Sequence, residues 1–328
     1  MIRSIYLSPE GIFKTQLDVD EYAGLLEKPT GLLWVDFEAT KPESDEIILQ
    51  ETFGFHPLAI DDALLESHVP KLDDWDEYLY IVLHAVVFDS EAGDHVDTLE
   101  VDFFLGKNYL VTHHDQKINA IDHVWDNFQV DDRLHKNGSG HLFYRIADEI
   151  VASYMPVVEL LDEAIDRSED QVFTDPTPVI LERIFRLKRV VLHLRRMIGP
   201  QREVFNKLAR DEIRVVGKRE RVYFRDIYDH LVRLYDITES IRDLVSGSLD
   251  TYLSVVNNRM NEIMKTLTII TTLFMPISFV ASFFGMNFFV PLRPFVTWTK
   301  LPVFLLALFI MLLTPSLMLM WVRRKGWI

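Results

Sequence analysis

The chain has 328 residues, with 34 Lys and Arg against 50 Asp and Glu, a formal net charge of −16 and no Cys. That balance argues against a surface built mainly for nucleic acid, and the lack of Cys excludes a disulfide framework, a thiolate metal site and a cysteine nucleophile. The charge is uneven: from residue 263 onward there is no acid and only six bases (Lys265, Arg293, Lys300, Arg323, Arg324, Lys325), so residues 1–262 hold 50 acids against 28 bases, or −22.

The opening residues, MIRSIYLSPEGIF, lack the continuous apolar core of a signal peptide, which predicts that the acidic part stays in the cytosol. GLLWVDF (31–37), YLYIVLHAVVF (78–88) and the stretch from Thr98 to Thr112 are rich in β-branched and aromatic residues and read as strands. SDEIILQETFGF and HPLAIDDALLESH between them have helical spacing. Strands separated by helices predict an α/β layer arrangement, with a mixed sheet because 78–112 can form a hairpin. His113-His114-Asp115 is a possible metal cluster, set against the plainer reading of a turn after a strand.

NGSG (137–140) reads as a break. Beyond it the pattern turns helical: one helix over 141–170, a second over about 176–210 with Gly199-Pro200 as a kink or break, and an irregular polar DEIRVVGKRE. From Tyr223 the helical pattern runs to Gly285, which is 63 residues, or about 95 Å.

Residues 266–292 and 301–322 contain no charge. Twenty-two helical residues span about 33 Å, enough for a hydrocarbon core of roughly 30 Å. LPVFLLALFIMLLTPSLMLMWV is apolar on every face, unlike a surface helix of a soluble protein. Two spans joined by a short loop put both termini on one side; the long acidic domain without a targeting signal makes that side cytosolic, and Arg323, Arg324 and Lys325 after the second span agree, although Arg293 and Lys300 in the loop leave the charge bias alone weak. Trp298, Trp321 and Trp327 fall near span ends, as in aromatic belts. The predicted organisation is an α/β cytosolic domain (1–140), a cytosolic helical region with the start of the long helix (141–262), a first span (263–287), an extracytoplasmic loop (288–300), a second span (301–322) and a basic cytosolic tail (323–328), in the cell inner or plasma membrane.

Alternate steps of three and four along the long helix select Ser240, Asp243, Gly247, Asp250, Ser254, Asn257, Asn261, Met264, Thr268, Thr271, Met275, Ser278, Ser282 and Gly285. This seam is small, polar or acidic where a coiled coil would place Leu and Ile. It fits either a helix–helix contact through small residues or a water-lined face shared by several copies of the helix. Asn261 and Asp250 favour water, since amides and carboxylates need solvent or full pairing. One such helix per chain cannot enclose a pore, so the second reading requires a cyclic oligomer. Met264 and Met275 are either apolar constrictions or gap fillers.

The first span ends in Phe284-Gly285-Met286-Asn287, and Gly-Met-Asn there, together with TYLSVVNNRMNEIMKTLTIITTLFMPISFVASFFGMNF, YFRDIYDHLVRLYDITESIRDLVSGSLD, GFHPLAIDDAL and the tail RRKGWI, resembles the CorA-type magnesium channels over most of the chain. The resemblance implies a homopentamer with an α/β/α cytosolic domain, a long stalk helix continuing into the first span, and an outer second span. It implies a mouth at Gly285, Met286 and Asn287, where an Asn287 ring meets hydrated ions. It further implies a gate at Met264 and Leu267 (Leu267 lying beside the seam), Asn261 just inside, Thr268, Thr271 and Ser278 lining the path, and Met275 as a further constriction. Asp62 and Asp226 would together hold a regulatory Mg2+ between protomers. The implied cargo is Mg2+, with Co2+ as an alternative, driven by the membrane potential and gated by internal Mg2+. Two departures stand out: FFVPLRPFVTWTK has no acid where many members carry them, and Phe284 stands where Tyr is frequent.

A zinc or other divalent transporter of the same superfamily is the nearest rival, although none of the 11 His lies in the spans or their loop. A membrane-anchored signalling or scaffolding protein is the rival from another class, and it needs no polar seam. No GxxxxGK[ST] is present, and neither an enzymatic activity, an organic cofactor nor a nucleic-acid partner is expected.

Overall fold

The computed structural model describes residues 1–28, 30–65, 68–89, 95–128, 132–286 and 301–326. The chain divides into two compact units, Met1–Leu249 and Asp250–Ile328.

The first unit opens with β1 (Ile2–Leu7), β2 (Phe13–Thr15), α1 (Val19–Leu26), β3 (Leu32–Glu38), α2 (Pro42–Ile47, widening into a π turn over Ile48–Thr52) and α3 (Pro57–Leu65). Then come β4 (Lys71–Asp74), β5 (Leu79–Asp89), β6 (His95–Leu105), β7 (Tyr109–His114), α4 (Asn119–Asn127), α5 (Asp132–Ala152), α6 (Tyr154–Thr174), α7 (Pro178–Arg210) and the start of α8 (Glu220–Gly285). The strands form one mixed sheet in the order β2-β1-β3-β7-β6-β5-β4. Only β3–β7 is parallel; β5–β6 is the expected hairpin.

Both faces of the sheet are covered, which is why LLWVDF in β3 is buried without alternation. On one face Leu33, Val35, Phe37, Tyr80, Val82, Phe104 and Val111 pack against Tyr22, Leu25, Ile60 and Ala63 from the short helices. On the other, Trp34 meets Trp125 and Phe128, and Phe103 meets Phe143 edge to face. The predicted α/β/α layering is thus present.

Asp36 is a buried charge on this second face. It accepts a 2.7 Å hydrogen bond from Arg3, lies 3.2 Å from His114 Nε2, and accepts one from the Thr112 hydroxyl. Burial opposes its ionisation, but the His114 hydrogen bond and charge, with Arg3, outweigh burial and hold the carboxyl below its ordinary value. His114 is pulled down by burial and raised more strongly by Asp36, ending above its usual range.

Three expectations are corrected. His113 and His114 are strand residues of β7, pointing to opposite faces, not members of a turn. The helix expected over 141–170 is interrupted at Ser153, and Pro156, which has no N–H for the Ala152 carbonyl, falls in the first turn of the new helix, where that N–H is not needed. α7 instead runs unbroken through Gly199-Pro200. The NGSG break lies within α5, where Gly138 (φ 79°, ψ −169°) turns the chain between two helical stretches, a conformation that favours glycine.

The second unit contains the remainder of α8 and α9 (Leu301–Arg324). α8 has 66 residues and continues through Pro276. The most apolar 18-residue window of α8 is wholly unburied within the chain, and that of α9 is 6% buried. A core helix of a soluble protein would be buried, so these two are membrane helices.

Candidate ion path and metal cluster

Asn261, Met264, Leu267, Thr268, Thr271, Met275, Ser278 and Gly285 are all exposed on α8, as is Met286 just past its end. Asn287 lies outside the described residues, as do residues 288–300 with Trp298, and Trp327. Asn261, Met264, Lys265 and Thr268 line a shallow concavity, joining three seam members. Thr268 donates its hydroxyl to the Met264 carbonyl at 2.7 Å, and Thr271 to that of Leu267 at 2.9 Å. With the protons committed inward, the hydroxyl oxygens present acceptor lone pairs outward. That is the polarity needed to receive hydrogen bonds from the water shell of a cation, which for Mg2+ is shed reluctantly.

In the first unit Asp148 on α5 and Asp226 and His230 on α8 bring one ligand atom each within 4.8 Å of one another, and are the one such group among the described residues. Asp226 and His230 are four apart on a helix and so share a face. Burial raises the Asp148 carboxyl above its ordinary value, and Asp226 adds to the rise against Arg145 and His230. Two carboxylates and an imidazole gathered this closely form a donor set that a divalent cation can use. His230 was reachable from the sequence through its D-x-x-x-H spacing within RDIYDH; Asp148, from a helix far upstream, left no such signal.

Asp62 does not join this group. It sits on α3, ion-paired with Lys71 and 3.7 Å from His68 Nε2. Within one chain Asp62 is therefore countered by a lysine, while Asp226 faces Asp148.

A membrane helix with an outward acceptor stripe, a second apolar span and an acidic soluble unit carrying a carboxylate cluster define an ion-transport protein by class. The family profile described as "CorA-like Mg2+ transporter protein" matches residues 29–324, and the chain belongs to that family. The cobalt/magnesium transport protein CorA of Thermotoga maritima is 35% identical over 280 residues, covering 85% of this chain and 78% of that protein. The zinc transport protein ZntB of Yersinia pseudotuberculosis is 27% identical over 275 residues, 83% of this chain and 81% of that one. The CorA magnesium transporter structure from Methanocaldococcus jannaschii superposes with a TM-score of 0.82 at 24% identity, covering 99% of this chain and 98% of that chain, which establishes a shared fold. The protein is thus a CorA-family divalent cation transporter of the membrane.

Proposed function

We propose that the protein is a channel for divalent cations, chiefly Mg2+, built from five copies around the α8 seam. The carrying observation is that the apolar surface of α8 and the acceptor stripe of Asn261, Thr268, Thr271 and Ser278 are all unburied in the single chain. Lipid satisfies the former; the latter calls for water. Met264, Leu267 and Met275 form apolar rings that close the path by excluding water, and Gly285, Met286 and Asn287 form the outer mouth. A neutral lining holds hydrated Mg2+ weakly enough for release, where rings of carboxylates would retain it. The drive is the membrane potential, about 4.6 kcal/mol for a divalent ion per 100 mV. Both termini lie in the cytosol.

Regulation runs through the acidic unit. Mg2+ held by the carboxylates of Asp226 and Asp148, joined by Asp62 of a neighbouring copy, holds a closed arrangement; when internal Mg2+ falls, acidic surfaces repel and the ring loosens. The family also contains zinc transporters, so the cargo must be tested against Zn2+ directly. Purified full-length protein in liposomes with a valinomycin-set potential should take up Mg2+ faster as the interior becomes more negative, and Asp226→Asn should weaken inhibition by lumenal Mg2+. Potential-independent uptake, or preference for Zn2+ over Mg2+, contradicts the reading.

A further inference from the structure

The apolar core beneath α3 does not extend along the whole sheet. In register with its members, the pairs Tyr80↔Phe104, Val82↔Asp102 and His84↔Glu100 carry the same face of β5 and β6 from aromatic to ionisable residues. His113 lies opposite Asp102 on β7. Four titratable side chains on three adjacent strands thus continue a face that is hydrophobic at Val35, Phe37, Tyr80, Val82, Phe104 and Val111. His84, Asp102 and His113 are 4%, 3% and 5% exposed. Their apolar surroundings would be better served by Val or Leu, since a buried polar atom left without a partner costs about 1–3 kcal/mol.

Three of them, Glu100, Asp102 and His113, line a cavity of about 380 Å3 together with Leu64 and Gln116 among others. His113 Nδ1 is buried and has no hydrogen-bond partner. It lies 3.7 Å from Asp102 Oδ2, too far for a hydrogen bond but a spacing that two ligands of one metal ion adopt when each bond is about 2.0–2.2 Å. On the other side of the ring, Nε2 faces the fully buried Asp45 carboxylate at 4.0 Å, and Asp45 is itself held by the Thr40 hydroxyl. The distance to Asp45 is also too long for a hydrogen bond, but a carboxylate on this side favours Nε2 as the protonated nitrogen and so leaves the Nδ1 lone pair for a metal.

We infer that this cavity is a binding site for a divalent cation of the imidazole-preferring class, Zn2+, Co2+ or Ni2+, held by His113 Nδ1 and Asp102, with Glu100 adding charge and water completing the shell. Mg2+ is the wrong ion for it: an imidazole ligand favours the borderline transition metals over hard, oxygen-seeking Mg2+. The site is separate from the Asp148–Asp226–His230 group and from the α8 seam, and gives the transporter a place to register a metal other than its main cargo.

The test is equilibrium Zn2+ binding to the full-length protein in detergent with millimolar Mg2+ present to occupy oxygen-only sites. A His230→Gln background removes the imidazole of the other cluster. One Zn2+ per chain should bind, and His113→Gln and Asp102→Asn should each weaken it by roughly 10–100-fold or more. Zinc X-ray absorption on the His230→Gln protein, with His113 and Asp102 intact, should contain an imidazole nitrogen at about 2.0 Å, a readout independent of how the variants fold. Unchanged affinity in folded variants, or an all-oxygen shell, overturns the assignment.

Discussion

The two units of this chain are stabilised by opposite means. In Met1–Leu249, Trp34, Phe37, Phe103 and Phe104 are sealed on both faces of one sheet, so the folded unit carries its own hydrophobic driving force. In Asp250–Ile328, Phe274, Met275, Phe279, Phe304 and Leu312 are each about 60–70% exposed. There most of the apolar surface is left uncovered by the chain itself, a surface that lipid rather than water stabilises. The contrast teaches where charge can sit: the soluble unit keeps ionisable groups inside, whereas the charge-free stretch of α8 offers only neutral oxygens such as those of Thr268, Thr271 and Ser278.

That comparison can be broken in order of expected effect. Thr271→Leu with Ser278→Leu should abolish flux while leaving membrane insertion intact, because the path loses its acceptors; Mg2+ uptake in liposomes reads this, and retained flux would remove the seam from the path. Phe103→Ala should destabilise the soluble unit by about 3–5 kcal/mol, whereas Leu305→Ala on α9 should stay within about 0.5 kcal/mol; thermal melts of the full chain separate them. Asp102→Asn should stabilise the soluble unit at high pH by an amount on the order of 3 kcal/mol. A carboxyl raised to about 6 disfavours the fold once ionised, so the gain is full above that pH and disappears toward pH 4, the unfolded value. A gain independent of pH would argue against burial as the cause.

The smallest effect concerns the Asp36–His114 pair. His114 is raised in the fold, so its contribution is complete below its unfolded value of about 6.5 and is lost as pH rises through the folded value. Asp36 is lowered, so its contribution is present above its ordinary carboxylate range and lost as pH falls through the folded value. His114→Gln should flatten the alkaline side of the melting profile without moving the acid side much.

The membrane unit was the more legible part. Charge-free windows of 22 residues or more and the three-four spacing of Asn261 through Ser278 are local signals that need no tertiary knowledge. In the soluble unit β3 and β5 were legible as β-branched and aromatic runs, but β2 and β4, three and four residues long, fell below any periodicity. His113 resisted reading for a different reason: it is adjacent to His114 in sequence, yet strand alternation sends the two rings to opposite faces, one toward Asp102 and one toward Asp36. Asp226 was legible through its motif, while its companion Asp148 is a product of how α5 packs beside α8.

The native chain contains no Cys, so single cysteines can be placed without background. The most direct measurement compares Thr271→Cys on the seam with Ile270→Cys beside it, both in liposomes and treated with a charged, membrane-impermeant thiol reagent. Modification of Thr271→Cys with block of Mg2+ flux, and none at Ile270→Cys, is the predicted result. Equal labelling of both positions, or labelling of Thr271→Cys that leaves flux untouched, would contradict a water-filled axis lined by α8.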